Sequence, residues 1–138
     1  MRVAVIDGQG GGMGKHIVEQ LRKRMPDLEI LALGTNALAT GAMLKAGATE
    51  GASGEAAICY NANRVDIITG SLAITTVHGF LGEITPNIAA AISSSTALKL
   101  LIPIQRNNII ITGVNRMPLP HHVEQLVEEI AKRVENPE

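Results

Sequence analysis

Five of the 14 glycines fall within Gly8-Gln9-Gly10-Gly11-Gly12-Met13-Gly14, directly after the apolar run Val3-Ala4-Val5-Ile6 and before a stretch opening with Lys15-His16. Glycine admits positive φ and lets backbone approach a ligand. A helix start adds unpaired N–H groups at the positive end of its dipole, so this place suits a phosphate. Lys15 and His16 sharpen the expectation, because cations in a first helical turn oppose the dipole unless an anion sits there. That opposition is only ~0.3–1 kcal/mol per charge, so the competing reading is a solvated Lys15 and a glycine turn kept for packing. Asp7 would repel a nearby phosphate unless it binds a metal, a base or the loop backbone; organising the loop is the role expected of it.

A second polar cluster, Gly34-Thr35-Asn36, ends the next apolar run. Thr35 and Asn36 can bond a ribose or phosphate oxygen, and Asn36 equally reads as a helix cap. The acid that binds ribose hydroxyls at this place in dinucleotide folds is missing. His78 and Glu83, in His78-Gly79-Phe80-Leu81-Gly82-Glu83, are the candidate catalytic pair, able to shuttle protons if both reach one substrate. The alternative is a hydrogen-bonded loop histidine and a surface acid. His121-His122 are adjacent and point apart, unlike an i, i+4 metal pair, so no metal site is expected. Cys59 stands alone, which forbids an intramolecular disulfide or a cysteine zinc site and fits a reducing compartment; its apolar context reads as a buried, inert thiol.

Positioning these residues requires βα units, and the pattern supplies them. Strands are expected near residues 3–6, 28–33, 48–52, 65–69, 98–104 and 109–114. The first is apolar on both faces, as a central strand covered by helices should be. Helices are expected at 15–25, ended by Pro26; from Asn36 to about Gly47; from a Ser53 cap to Ala62; from Thr85-Pro86 to about Ser94; and from Leu119-Pro120 onward, with Val123, Leu126, Val127, Ile130 and Val134 on one face and Glu128 and Lys132 paired. Residues 71–85 are ambiguous, with Leu72, Val77 and Leu81 candidates to face inward; so long a stretch is a candidate binding segment. Gln105-Arg106-Asn107-Asn108 is short enough for a hairpin, making the last two strands antiparallel. The expected fold is a single α/β domain over 1–138, three-layered and Rossmann-like, with a mostly parallel sheet of about six strands and a C-terminal antiparallel hairpin.

Composition narrows the function. With 46% apolar and 18% charged residues the chain can build a core. A net charge of -1, with Tyr60 and Phe80 the only aromatic residues, excludes a broad positive field or a stacking platform for nucleic acid. No segment approaches a membrane span, and the N-terminus lacks the apolar core of a signal peptide, so a cytoplasmic protein is expected. Small size and few aromatics make a homo-oligomer expected, through residues 98–104 or 109–114.

The spacing Gly8, Gly12, Gly14 resembles the G-x-x-x-G-x-G loop of short-chain dehydrogenases and reductases, which implies NAD(P). The catalytic Tyr-x-x-x-Lys of that family is not matched, because Arg64 holds the basic position after Tyr60. The strict G-x-G-x-x-G fingerprint fails at Met13, and a Walker A motif fails at Gln9 and His16. Residues 4–12, 33–40 and Gly82-Glu83-Ile84-Thr85-Pro86 together resemble a small uncharacterised bacterial domain family. That resemblance covers almost the whole chain and implies a stand-alone Rossmann-like protein. Gly34-Thr35, residues 51–55 and Val65-Asp66 are more weakly similar to methylglyoxal-synthase-type domains, without the Gly-Asp pair that holds their catalytic acid. The expected function is binding of a dinucleotide such as NAD(P), as a small oxidoreductase or subunit. The expected site is Gly8, Gln9, Gly10, Gly11, Gly12, Met13, Gly14, Lys15, Gly34, Thr35 and Asn36. The alternative is a non-catalytic sensor of a mononucleotide or phosphorylated metabolite.

Overall fold

The computed structural model describes residues 1–104 and 108–137. Five strands, β1 (Arg2–Asp7), β2 (Glu29–Gly34), β3 (Glu50–Ser53), β4 (Ile67–Ser71) and β5 (Leu98–Ile102), form one sheet in the order β3-β2-β1-β4-β5, every pair parallel. Between them run α1 (Gly12–Arg24), α2 (Ala37–Ala46), α3 (Glu55–Asn61) and α4 (Pro86–Ser93), with a 3-10 turn at Leu72–Thr75; α5 (Leu119–Glu135) closes the chain.

Alternation along β1 explains the layers, because successive side chains point to opposite faces. Val3 and Val5 join Ile17, Val18 and Leu21 of α1, Met43 of α2 and Val123, Val127 and Ile130 of α5 on one face. Ala4 and Ile6 join Ile58 of α3 and Ile88 and Ile92 of α4 on the other. Each such fully buried aliphatic side chain contributes about 1.5–3 kcal/mol, so two independent apolar faces hold β1 at the centre. Arg24 on α1 pairs with Glu128 and Glu135 on α5. Lys132 pairs with Glu129, so the expected Glu128–Lys132 pair does not form: Arg24 reaches Glu128 first. Among the described residues, no helix is long and apolar enough to cross a membrane.

The register aligns Asp7 with Gly34 and Gly34 with Ser53, putting the carboxyl ends of β1, β2 and β3 on one edge. Strand order reverses beside β1: the chain steps outward through β2 and β3, then returns to add β4 on the other side. The loops after β1 and β4 therefore diverge, the place where open parallel sheets usually bind a ligand.

Four sequence expectations need correction. The sheet has five strands, and residues 109–114 form none. Pro103 removes a ladder donor, so β5 stops at Ile102, and Gly113 turns back with φ 84°. No antiparallel pair exists among the described residues; Gln105, Arg106 and Asn107 of the expected turn lie outside them. Ser53 ends β3 and donates to Thr40 Oγ1 at 2.7 Å, leaving Gly54, with φ 98°, as the residue that caps α3. Finally, Val77 and Leu81 point outward, Leu81 being 94% exposed, while Ile74 and Ile84 are buried. The 3-10 turn resets the periodicity after β4, so helical spacing picks the wrong side chains.

Candidate functional site

Asp7 organises the glycine loop. Its carboxylate, 6% exposed, accepts from Gly8 N–H at 2.8 Å and from Gly14 N–H at 2.6 Å, tying the end of β1 to the first turn of α1. Burial is the strongest influence and pushes this carboxyl up, the two N–H bonds pull it down, and nearby Glu83 pushes it up; the net direction is upward.

The five glycines separate by cause. A Cβ on Gly8 would stand 2.6 Å from Glu83 Oε1 and 2.7 Å from both Phe80 Cδ2 and Thr35 Oγ1. On Gly11, whose φ is 75°, it would stand 2.8 Å from Ala39 Cα; on Gly14, 2.6 Å from Met43 Sδ and 2.9 Å from Asp7 Cβ. These glycines serve close packing. Gly10 and Gly12 meet nothing within 4 Å, are exposed, and have no positive φ, so nothing inside the protein requires glycine at either position.

The amides separate in the same way. Gly8 and Gly14 donate to Asp7, Gly11 donates to Gly8 O, and Lys15 donates to Gly11 O. Among the described residues, the N–H groups of Gly10, Gly12 and Met13 have no acceptor. Lys15 is exposed and also lines a cleft of about 340 Å³ with Ala37, Leu38, Gly41, Ala42 and Lys45 between α1 and α2.

Thr35 and Asn36 lie beside this loop. Thr35 N–H donates to Asp7 O at 3.0 Å. Asn36 does two jobs: its Oδ1 caps α2 by accepting from Ala39 N–H at 2.9 Å, and its Nδ2 donates to Gln9 O at 3.0 Å and to Glu83 Oε2 at 2.9 Å. Gly34 is glycine because α2 comes close: an added Cβ would stand 2.6 Å from Thr40 N.

Glu83 arrives from residues 76–85, in the segment after β4. Its Oε1 accepts from Gln9 N–H at 2.6 Å and from Thr35 Oγ1 at 3.1 Å. Desolvation alone would raise this carboxyl; the bonds from Gln9, Asn36 and Thr35 together outweigh it, and the carboxyl lies below its ordinary value. His78 is exposed, with φ 67°, and among the described residues no hydrogen bond or ion pair joins it to Glu83. The structure thus gathers Gly8–Lys15, Gly34, Thr35, Asn36 and Glu83 at one edge, while the His78 N–H bonds Ile84 O. Sequence reading missed Phe80 covering Gly8; the available signal was an aromatic residue three positions from Glu83 in a chain with only two.

Asp66 accepts from the Arg2 N–H at the opposite, amino edge of the sheet, where a larger cleft of about 770 Å³ lies. The Gly34-Thr35 and Val65-Asp66 segments therefore do not share a site.

Among solved structures, the fold is similar to a dodecameric FMN-dependent UbiX-like decarboxylase from Escherichia coli O157:H7, with a TM-score of 0.51 and 12% identity over 97% of this chain and 94% of that one. At that identity the likeness is one of fold. No curated protein matches the chain. Residues 2–135 match the family described as a domain of unknown function, DUF3842, and the chain belongs to that family.

Proposed function

We propose that the protein binds a phosphate-bearing nucleotide at the carboxyl edge of its sheet, with flavin mononucleotide as the first candidate and NAD(P) as the second. The observation that carries this reading is the pair Gly10 and Gly12, exposed glycines without an internal steric cause, whose N–H groups, with that of Met13, have no acceptor among the described residues. Amides at a loop-to-helix junction, with Lys15 at the next turn, match what a phosphate monoester needs: several short donors and a mobile cation. The cleft running from Lys15 toward Lys45 gives the rest of a nucleotide somewhere to lie.

Flavin mononucleotide ranks first on two grounds. The fold neighbour is FMN-dependent. The end of β2, Gly34-Thr35-Asn36, also lacks the acid that a dinucleotide's ribose uses. The flavin would supply redox or electron-accepting chemistry; this chain's part is to hold the phosphate on the amides of Gly10, Gly12 and Met13 and to keep β1 and α1 in register through Asp7. Calorimetric and fluorescence titration with FMN, NAD⁺ and NADP⁺ tests the assignment. FMN binding at micromolar concentration is the expected result; binding of none of the three by folded protein overturns it.

A further inference from the structure

Beneath the open amides of Gly10 and Gly12 lies a part of the loop that is already closed. Gln9 N–H, Thr35 Oγ1 and Asn36 Nδ2 converge on the carboxylate of Glu83 at 2.6, 3.1 and 2.9 Å. One amide, one hydroxyl and one carboxamide around a two-oxygen anion is the donor set with which a backbone loop receives an oxyanion. The cover continues over Gly8, where Phe80 Cδ2 and Glu83 Oε1 occupy the space a side chain would need. Gly8 is buried, and the Gln9 N–H is taken by Glu83 while residues 76–85 keep this position.

Charge makes the arrangement exclusive. Asp7 lies just below, buried, and no described cation is bonded to it or to Glu83. Glu83 already raises the Asp7 carboxyl. A third negative group entering beside both is opposed by like-charge repulsion, whereas exchanging Glu83 for a phosphate of about −1.5 to −2 adds at most about one negative charge. The segment carrying Glu83 is also built to hold an uncommon shape: His78, Phe80 and Leu81 have φ of 67°, 57° and 57°, conformations in which non-glycine residues are uncommon. Leu81 at its tip is 94% exposed, so little apolar burial holds that tip down.

We propose that Glu83 is an intramolecular stand-in for a ligand oxyanion on the Gln9, Thr35 and Asn36 donors, next to the unpaired amides of Gly10, Gly12 and Met13, and that residues 76–85 form a latch that withdraws Glu83 when a phosphate-bearing ligand takes both sets of donors. This rests on the loop being a phosphate site, and it adds how occupancy of that site is controlled. The latch sets a threshold: the apparent affinity is the intrinsic affinity reduced by the fraction of molecules that are open.

Two measurements test the latch, with FMN and inorganic phosphate as probes. In calorimetry, Glu83→Ala is expected to bind FMN about tenfold or more tightly than the wild type and to raise inorganic phosphate affinity in the same direction. In the wild-type protein, the ¹³C resonance of the Glu83 side-chain carboxyl is expected to move to that of a solvated glutamate at saturating FMN. Wild-type FMN binding with no gain in Glu83→Ala and an unmoved carboxyl resonance overturns the latch and leaves the phosphate site standing. Weaker binding by the variant shows that Glu83 holds the ligand itself, for example through its hydroxyl groups, and also overturns the latch. Absence of binding in both folded proteins removes the site and the latch together. If the variant does not fold, the wild-type carboxyl resonance decides alone.

Discussion

At the residue scale, the glycine loop divides into positions that shape the protein and positions that face outward. Gly14→Ala places a methyl against Met43 and Asp7 and is expected to cost about 1–3 kcal/mol in urea unfolding. Gly12→Val enters open space at the first position of α1; its unfolding midpoint should stay within about 0.5 kcal/mol of wild type, while FMN affinity falls about tenfold or more. Equal losses of stability in both variants would contradict the division. The two carboxylates respond to pH with opposite signs. Glu83 lies below its ordinary value of 4.5, so its contact contributes fully above that pH and is lost as pH falls through the lower folded value. Asp7 lies above 3.8, so its contribution is present below that pH and disappears as pH rises through the folded value. The stability gap between wild type and Glu83→Gln is therefore expected to narrow between pH 5 and pH 3 in urea titrations; a constant gap would mean the contact carries no proton linkage.

At the element scale, the decisive segment is the one between β4 and α4. Thr85 closes it: its Oγ1 accepts from Ile88 N–H at 3.1 Å as the N-cap of α4, and its hydroxyl also bonds Glu55 of α3. Thr85→Ala is expected to cost about 1 kcal/mol by thermal or urea unfolding. Because Thr85 also anchors one end of residues 76–85, the same variant should speed amide exchange at His78 and Ile84, whose N–H groups bond Ile84 O and Gly79 O. The Thr85-Pro86 cap and the Asn36 cap were both legible in the chain, since each is a local donor–acceptor preference within four residues. The path of residues 76–85 was not. Its positive φ values at His78, Phe80 and Leu81, and the contact of Glu83 with Gln9, follow no helical or strand period.

At the scale of the whole molecule, the segment after β5 presents an exposed apolar face. Ile104 and Leu119 are exposed there and line a cleft of about 520 Å³ with Val114, Arg116, Met117 and His122; Ile109 and Ile110, in the same segment, are exposed as well, Ile110 by 80%. Exposed apolar side chains beside a cleft are the kind of surface that interfaces use. We therefore propose self-association through this face. Light scattering coupled to size exclusion is expected to show an oligomer at micromolar concentration that Ile110→Lys shifts toward monomer. A wild-type monomer would refute it.

Periodicity and punctuation in the chain determined the βα alternation, the central β1, the amphipathic α1 and α5 and the glycine loop that joins β1 to α1, because each depends on neighbours within one or two turns. Tertiary structure alone decided the sheet order, the loss of a sixth strand and which glycines are internal. It also decided that a carboxylate 74 residues away lies on the Gln9 amide. Those outcomes depend on which surfaces meet, and a contact between distant segments leaves no periodic trace in either one.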